Sequence, residues 1–174
     1  MNRTLTSIGF ASLVGLTSLS STTVAGANEA PINGVVQSRC IIQTDSAGTF
    51  GNPNAYTLTT SSADGGEEAV IRVDVSLADA YYVAITAPQD FSSSPALPDQ
   101  VTFVGDTTVK TVSDATGMGS YETSKVELGM TDRYDLTATG STWFATSSIA
   151  TMGGSKSFPG GNYTAMVFAE CIAQ

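Results

Sequence analysis

Histidine is absent from the 174 residues of this chain. Its absence removes the usual general base near neutral pH, the Ser-His-Asp and Cys-His nucleophile systems and most zinc sites. Cysteine is nearly absent too, with only Cys40 and Cys171. Basic residues are scarce: seven Lys and Arg stand against sixteen Asp and Glu, for a net charge of −9. That balance excludes a basic face for nucleic acid or anionic lipid, because phosphates need Lys and Arg. No apolar run reaches the roughly 20 residues that span a bilayer, so no membrane span is expected. Neither a P-loop nor a dinucleotide fingerprint occurs. The Gly-rich stretches lack the strand-turn-helix setting that gives such motifs meaning.

What is present begins with MNRTLTSIGFASLVGLTSLSSTTVAGA. Arg3 supplies a positive start, a Thr- and Ser-interrupted apolar stretch follows from Leu5 to Leu19, and Ala25-Gly26-Ala27 ends it in an A-x-A pattern. This reads as a signal peptide over 1–27, leaving 28–174 as one exported domain, in the periplasm, at the cell surface or outside the cell. Two cysteines in an exported chain favour one disulfide. A Cys40–Cys171 bridge would close a loop of roughly 130 residues, worth about 4–5 kcal/mol on the chain-entropy model. Two free buried thiols, or a bond between chains, are the alternatives.

After residue 27 there is no long helical pattern. Short runs with period-two alternation are separated by Gly, Pro, Asn, Asp and Ser, the pattern of an all-β sandwich. Strands are expected in GVVQSRCIIQ (34–43), AYTLTT (55–60), AVIRVDVSL (69–77) and AYYVAITA (80–87). The third places Ile71, Val73, Val75 and Leu77 on one face and Arg72, Asp74 and Ser76 on the other. It and the fourth form either a hairpin or a bend, since Ala78-Asp79 is not a favoured hairpin turn. PQDFSSSPALPD (88–99) reads as a surface loop. VTFVGDTTVKTVS (101–113) reads as two short strands around Gly105-Asp106. YETSKVELGM, RYDLTATG and STWFATSSIATM supply three more candidates, and NYTAMVFAECIA (162–173) closes the chain as a last strand. Cys40 and Cys171 therefore lie on the first and last firm strands, where a bridge would hold the terminal strand against fraying.

Carboxylates are the remaining chemistry. Asp64, Glu67 and Glu68 cluster, and Asp132 and Asp135 bracket Arg133 and Tyr134. Paired acids serve glycosidases or calcium sites, but neither group has the EF-hand spacing, and solvated loop acids are the expectation for both. No cofactor and no metal site is expected. In the Trp143-Phe144 pair, one ring should fill the core and the other face out. An outward Trp143 is a candidate ligand contact.

Three features taken in order resemble a known family. PINGVVQSRCIIQ places a glycine six residues before a cysteine, AVIRVDVSLADAYYVAI follows, and GNYTAMVFAECIA, near the end of the chain, opens with a Gly-x-Tyr-x-x-x-Val run. Together they resemble bacterial chaperone–usher fimbrial subunits and the related spore coat protein U-like secreted subunits. The resemblance implies an incomplete immunoglobulin-like Greek-key sandwich whose neighbour donates an N-terminal strand. On that reading Ile32, Val35 and Val36 are the candidate assembly plugs. The implied partners are further copies or other surface subunits, with a periplasmic chaperone. The chain departs from the family by carrying its second cysteine on the final run instead of the strand AVIRVDVSL.

The expected function is a non-enzymatic, exported structural subunit of the bacterial cell surface or extracellular matrix, a pilin-like fibre subunit assembling by strand addition. A monomeric binding module for a glycan or another surface ligand is the second reading. A hydrolase using paired acids is the third.

Overall fold

The computed structural model describes Gly34, Val35 and residues 37–174. The chain divides into two units, Met1–Val35 and Val36–Gln174, and the fold is that of the second. The expected signal peptide, with Ile32 and Val36, lies outside the described residues.

The second unit is all-β and sandwich-like, as its alternation predicted. Its strands are β1 (Cys40–Ser46), β2 (Gly51–Asn54), β3 (Thr57–Thr59), β4 (Ala69–Val75), β5 (Tyr81–Thr86), β6 (Val101–Val112), β7 (Val126–Leu128), β8 (Thr131–Asp135), β9 (Gly140–Met152) and β10 (Phe168–Ala173). A six-stranded sheet has the order β1-β4-β9-β3-β2, with β6 on the other edge of β9; a four-stranded sheet runs β10-β5-β8-β7.

The long β9 organises the larger sheet. Along one edge it pairs with β6 from Val101↔Met152 to Val112↔Thr142. Along the other it pairs first with β4, from Ala69↔Thr146 to Val75↔Gly140, and then with β3, from Thr57↔Thr151 to Thr59↔Ile149. β3 and β4 thus behave as one strand interrupted by residues 60–68, which hold a single 3₁₀ turn at Ser62–Asp64.

Alternation fills the space between the sheets. Ile71, Val73 and Val75 of β4, Val83 and Ile85 of β5, Tyr134 of β8 and Phe144 of β9 form one buried cluster with Met118, Tyr121 and Leu136. The rings of Tyr134 and Phe144 meet at 4.6 Å between centroids. Burial of side chains this large supplies about 1.5–3 kcal/mol each.

Two seams join the sheets. On one side the Cys40–Cys171 disulfide ties β1 to β10, with the Cα atoms 6.2 Å apart and 131 residues between them in sequence. On the other side the joint is polar. Asp132 of β8 accepts the Thr107 N–H of β6 at 2.7 Å, and the Tyr134 hydroxyl donates to the Thr107 carbonyl. Free strand edges invite unwanted pairing, and here the edge of β6 is engaged by side chains from the opposite sheet.

Four local expectations are refined. The runs 69–77 and 80–87 make the bend, not the hairpin: β4 already has β1 and β9 on its two edges, so β5 joins the other sheet. Asp79 takes φ 58° in that bend and its N–H donates to Leu136 O at 3.0 Å. Residues 101–112 form one strand, not two, because Gly105 marks a close approach and not a turn. A Cβ there would lie 2.5 Å from Ala87 Cβ. β1 begins at Cys40, not at residue 34. Finally, only Phe168–Ala173 of the last run is strand; residues 158–167 cross the end of the sandwich irregularly, held by the Ser93↔Thr164 bridge.

Candidate functional site

On the inward face of β9 the residues run Phe144, Thr146, Ser148, Ala150 and Met152, all buried. The apolar core therefore gives way to hydroxyls halfway along the strand. Above those hydroxyls the sandwich is not filled. A groove of about 640 Å³ opens between the large sheet and the 158–167 segment, within the usual size range of ligand sites. Leu58, Thr60, Thr146 and Ser148 form its floor, residues 48–50 one rim, and residues 158–165 with Val167 the other.

The rims are built from local chemistry. Phe158 N–H donates to Ala55 O at 2.8 Å, and Thr164 exchanges both backbone bonds with Ser93. Tyr163 turns its hydroxyl back to Pro159 O at 2.6 Å. Phe50, Phe158 and Tyr163 all lean on Phe91, at centroid distances of 6.1, 6.0 and 5.1 Å. Such edge-on and tilted contacts stiffen aromatic walls. At Gly161 φ is +153°, and a Cβ would lie 2.5 Å from Pro95 Cγ, so the rim can pass there only as glycine.

The floor has an incomplete polar network. Thr60 Oγ1 accepts the Ser148 N–H at 2.8 Å, and Thr146 and Thr107 share a hydroxyl pair at 3.1 Å. Ser148 is 3% exposed, and among the described residues its Oγ has no hydrogen-bond partner. A buried hydroxyl left unpaired carries a penalty of about 1–3 kcal/mol. Among the described residues, no charged side chain lines the groove.

The titratable cluster lies elsewhere, on the polar seam. Lys125 Nζ sits 2.7 Å from Asp106, 3.3 Å from Glu127 and 4.0 Å from Asp132. Burial alone would lower the Lys125 ammonium, but the hydrogen bonds it donates to Asp106 and Glu127 hold it above its ordinary value. Burial raises the Asp132 carboxyl, against the Thr107 N–H and Lys125, which pull it down. Burial likewise holds Tyr134 as a neutral phenol far above its ordinary range. Glu122 accepts the next free N–H of β6, from Val109. These groups serve the β6 edge, and none of them faces the groove.

The residues singled out from sequence fall into four groups. Cys40 and Cys171 are brought together, as expected. Trp143 faces outward while Phe144 is buried. Its Nε1 donates to Asp45 at 3.2 Å, Arg72 lies 5.3 Å from its ring, and it stands outside the groove. Val35 is exposed. Asp64, Glu67 and Glu68 are exposed loop acids, but Asp132 is a correction. It is a buried strand residue that accepts a backbone bond across the sheets. The groove residues Thr60, Thr146 and Ser148 were not anticipated. For Thr146 and Ser148 a signal was present in STWFATSSIATM, where their hydroxyls are in phase with Phe144 and Met152; Thr60, in AYTLTT, carried none.

Among the described residues, no cluster of three or more His, Cys, Asp or Glu could hold a metal ion, and no helix is long and apolar enough to cross a membrane. Comparison with protein-family models, with curated proteins and with solved structures returns no match.

Proposed function

We propose that this chain is an exported, non-enzymatic structural subunit of the bacterial cell surface or extracellular matrix, an Ig-like Greek-key sandwich that associates with further copies by strand addition. The observation that carries the reading is the side of the sandwich between β1 and β10. Among the described residues both are edge strands, and they are the first and last strands described. The core-directed residues Cys40, Ile42, Val167, Ala169 and Cys171 are only partly buried there, although they pack on the core. Beside them Met166 and Phe168 are exposed. A strand laid along this side would complete the burial, as in edge augmentation generally.

The bridge limits where such a strand can lie. An interposed strand needs about 9.5 Å, twice the spacing of paired strands, and the Cα atoms at the bridge are 6.2 Å apart. Addition is therefore confined to the part of β10 beyond the bridge, towards Phe168. Ile32, Val35 and Val36 of a neighbour are the proposed plugs, and a periplasmic chaperone would cover the edge before assembly. Export accords with the A-x-A pattern at Ala27 and with the disulfide.

The test is electron microscopy and size-exclusion chromatography of protein secreted by an exporting host, with and without residues 28–36. Filaments or oligomers lost on that deletion support the reading. A strict monomer at high concentration, in both forms, overturns it.

A second reading, a binding module, is favoured by a separate observation: the groove of about 640 Å³ beside the 158–167 segment, with no charged side chain lining it among the described residues.

A further inference from the structure

We propose that the outward face of the four-stranded sheet docks against the same face of a second copy of this chain, about a two-fold axis running along β5. The inference goes beyond strand addition, which uses a sheet edge and not a sheet face.

Register defines the face. Val83, Ile85 and Tyr134 turn into the core, so the alternate residues of β5 and β8, with their cross-strand neighbours on β10 and β7, turn outward. An antiparallel sheet with one wet face normally carries polar side chains there. Here Phe168, Thr86, Thr131 and Leu128 form one row across the sheet. Phe168 is 68% exposed at one end of the row and Leu128 61% at the other. Val126, the next outward residue of β7, is exposed too.

The polar groups between these apolar ends are already paired. The Thr86 and Thr131 hydroxyls share a hydrogen bond at 2.8 Å. Arg133 bonds Asp135 at 2.9 Å and lies 4.0 Å from the centre of the Tyr82 ring. Covering paired groups costs less than covering free ones.

Charge selects the partner. Glu170, Ala84 and Arg133 form the next row, one residue per strand. An acid and a base thus flank the small Ala84 from opposite sides. A two-fold axis along β5 exchanges those sides, so each Glu170 meets the partner's Arg133, and the contact closes on itself. An axis across the strands would set Glu170 against Glu170 instead. Arg133 spends two N–H groups on Asp135, and a guanidinium has five, so donors remain for the second carboxylate. Among the described residues Glu170 makes no salt bridge.

Strands about 4.8 Å apart and a few residues long give a face of about 15 by 20 Å. That is small for a specific interface, so the dimer should dissociate in the micromolar range.

The experiment is sedimentation equilibrium of the full exported chain, and of the same chain lacking residues 28–36, up to about 500 μM. The shortened chain should show a monomer–dimer equilibrium. Glu170→Arg and Arg133→Glu should each weaken the dimer at least about tenfold, because each sets like charges together twice. Mixed in equal amounts, the two variants should associate again as one copy of each, since both contacts then join opposite charges. Native mass spectrometry reads that composition. Leu128→Asp, at an exposed position outside the core, should weaken the dimer to a similar extent, and it serves if Arg133→Glu loses its fold.

A monomer throughout the range overturns the proposal. So does a mixture of two folded variants that fails to associate, or a dimer undiminished in Glu170→Arg and Leu128→Asp. Dimers lost on deletion of 28–36 would put that segment on the face, and would overturn it as well. Dimers in both forms without filaments would count against strand addition alone. Filaments of the full chain beside a monomeric shortened chain would count against this face alone.

Discussion

Asp132 accepts the backbone N–H of Thr107 at 2.7 Å across the gap between the sheets. This buried carboxylate and the Cys40–Cys171 bridge occupy opposite seams of one sandwich. One seam is covalent and indifferent to pH; the other is electrostatic and titrates.

Removing the carboxylate should expose its role. Asp132→Ala leaves a buried N–H without an acceptor and should destabilise the fold by about 2–3 kcal/mol at neutral pH. Asp132→Asn keeps an acceptor oxygen and removes the desolvated charge, so it should stay within about 1 kcal/mol of the parent. The Asp132 carboxyl lies above its ordinary 3.8 when folded. Its linked stability is therefore fully present below 3.8 and lost as pH rises through the folded value. Urea denaturation from pH 7 down to pH 4 should show that contribution in the parent and not in Asp132→Asn.

Alkaline pH should act on the same seam. Tyr134 and Lys125 are both raised above their ordinary 10.0 and 10.5. Each keeps its proton in the fold at a pH where the unfolded chain releases it. Their contribution is present below pH 10 and is lost above it. Tyr134→Phe should reduce that alkaline loss. At pH 7 it should cost only about 1 kcal/mol, because Lys125 Nζ still donates to Thr107 O at 3.2 Å. Thermal melts between pH 7 and 11 would measure both effects.

The disulfide seam predicts a different signature. The double substitution Cys40→Ser with Cys171→Ser should lower stability by about 4–5 kcal/mol on the chain-entropy model. The loss should be local before it is global. Among the described residues β10 pairs only with β5, so its amides should lose hydrogen-exchange protection first. Uniform loss of protection across both sheets would contradict this.

Two adjacent glycines should respond for unlike reasons. At Gly66 a Cβ would fall 2.3 Å from Thr59 O, so Gly66→Ala should force the 60–68 excursion off β3 and cost at least about 2 kcal/mol. At Gly65 the space is open but φ is +79°, so Gly65→Ala should cost only the left-handed strain, about 1–2 kcal/mol. Calorimetry of the pair separates the two mechanisms.

Alternation was enough to identify β4, where Ile71, Val73 and Val75 turn inward; for β9 it required one ring of Trp143-Phe144 in the core and one outside, and the structure chose Phe144. Both patterns are local: period two puts successive side chains on opposite faces. The cysteines were also informative: the expectation of export made a disulfide the favoured reading of two thiols, and the structure joins them. The groove was not legible in this way. Thr60, Thr146, Ser148 and Tyr163 are distant in sequence, and their hydroxyls look like ordinary polar alternation until the strands are placed.

The sequence by itself determined the strand-rich class, the buried phase of β4 and the residues available for a bridge. Period-two burial and thiol chemistry need no partner to be recognised. Only the tertiary structure decided that β4 and β5 part into different sheets, that Asp132 is a buried acceptor and not a loop acid, and that Thr60 meets Thr146 and Ser148 of β9 beneath one groove with no charged lining among the described residues. Those outcomes depend on which edges are already paired, and strand pairing is a contest among the whole set of edges.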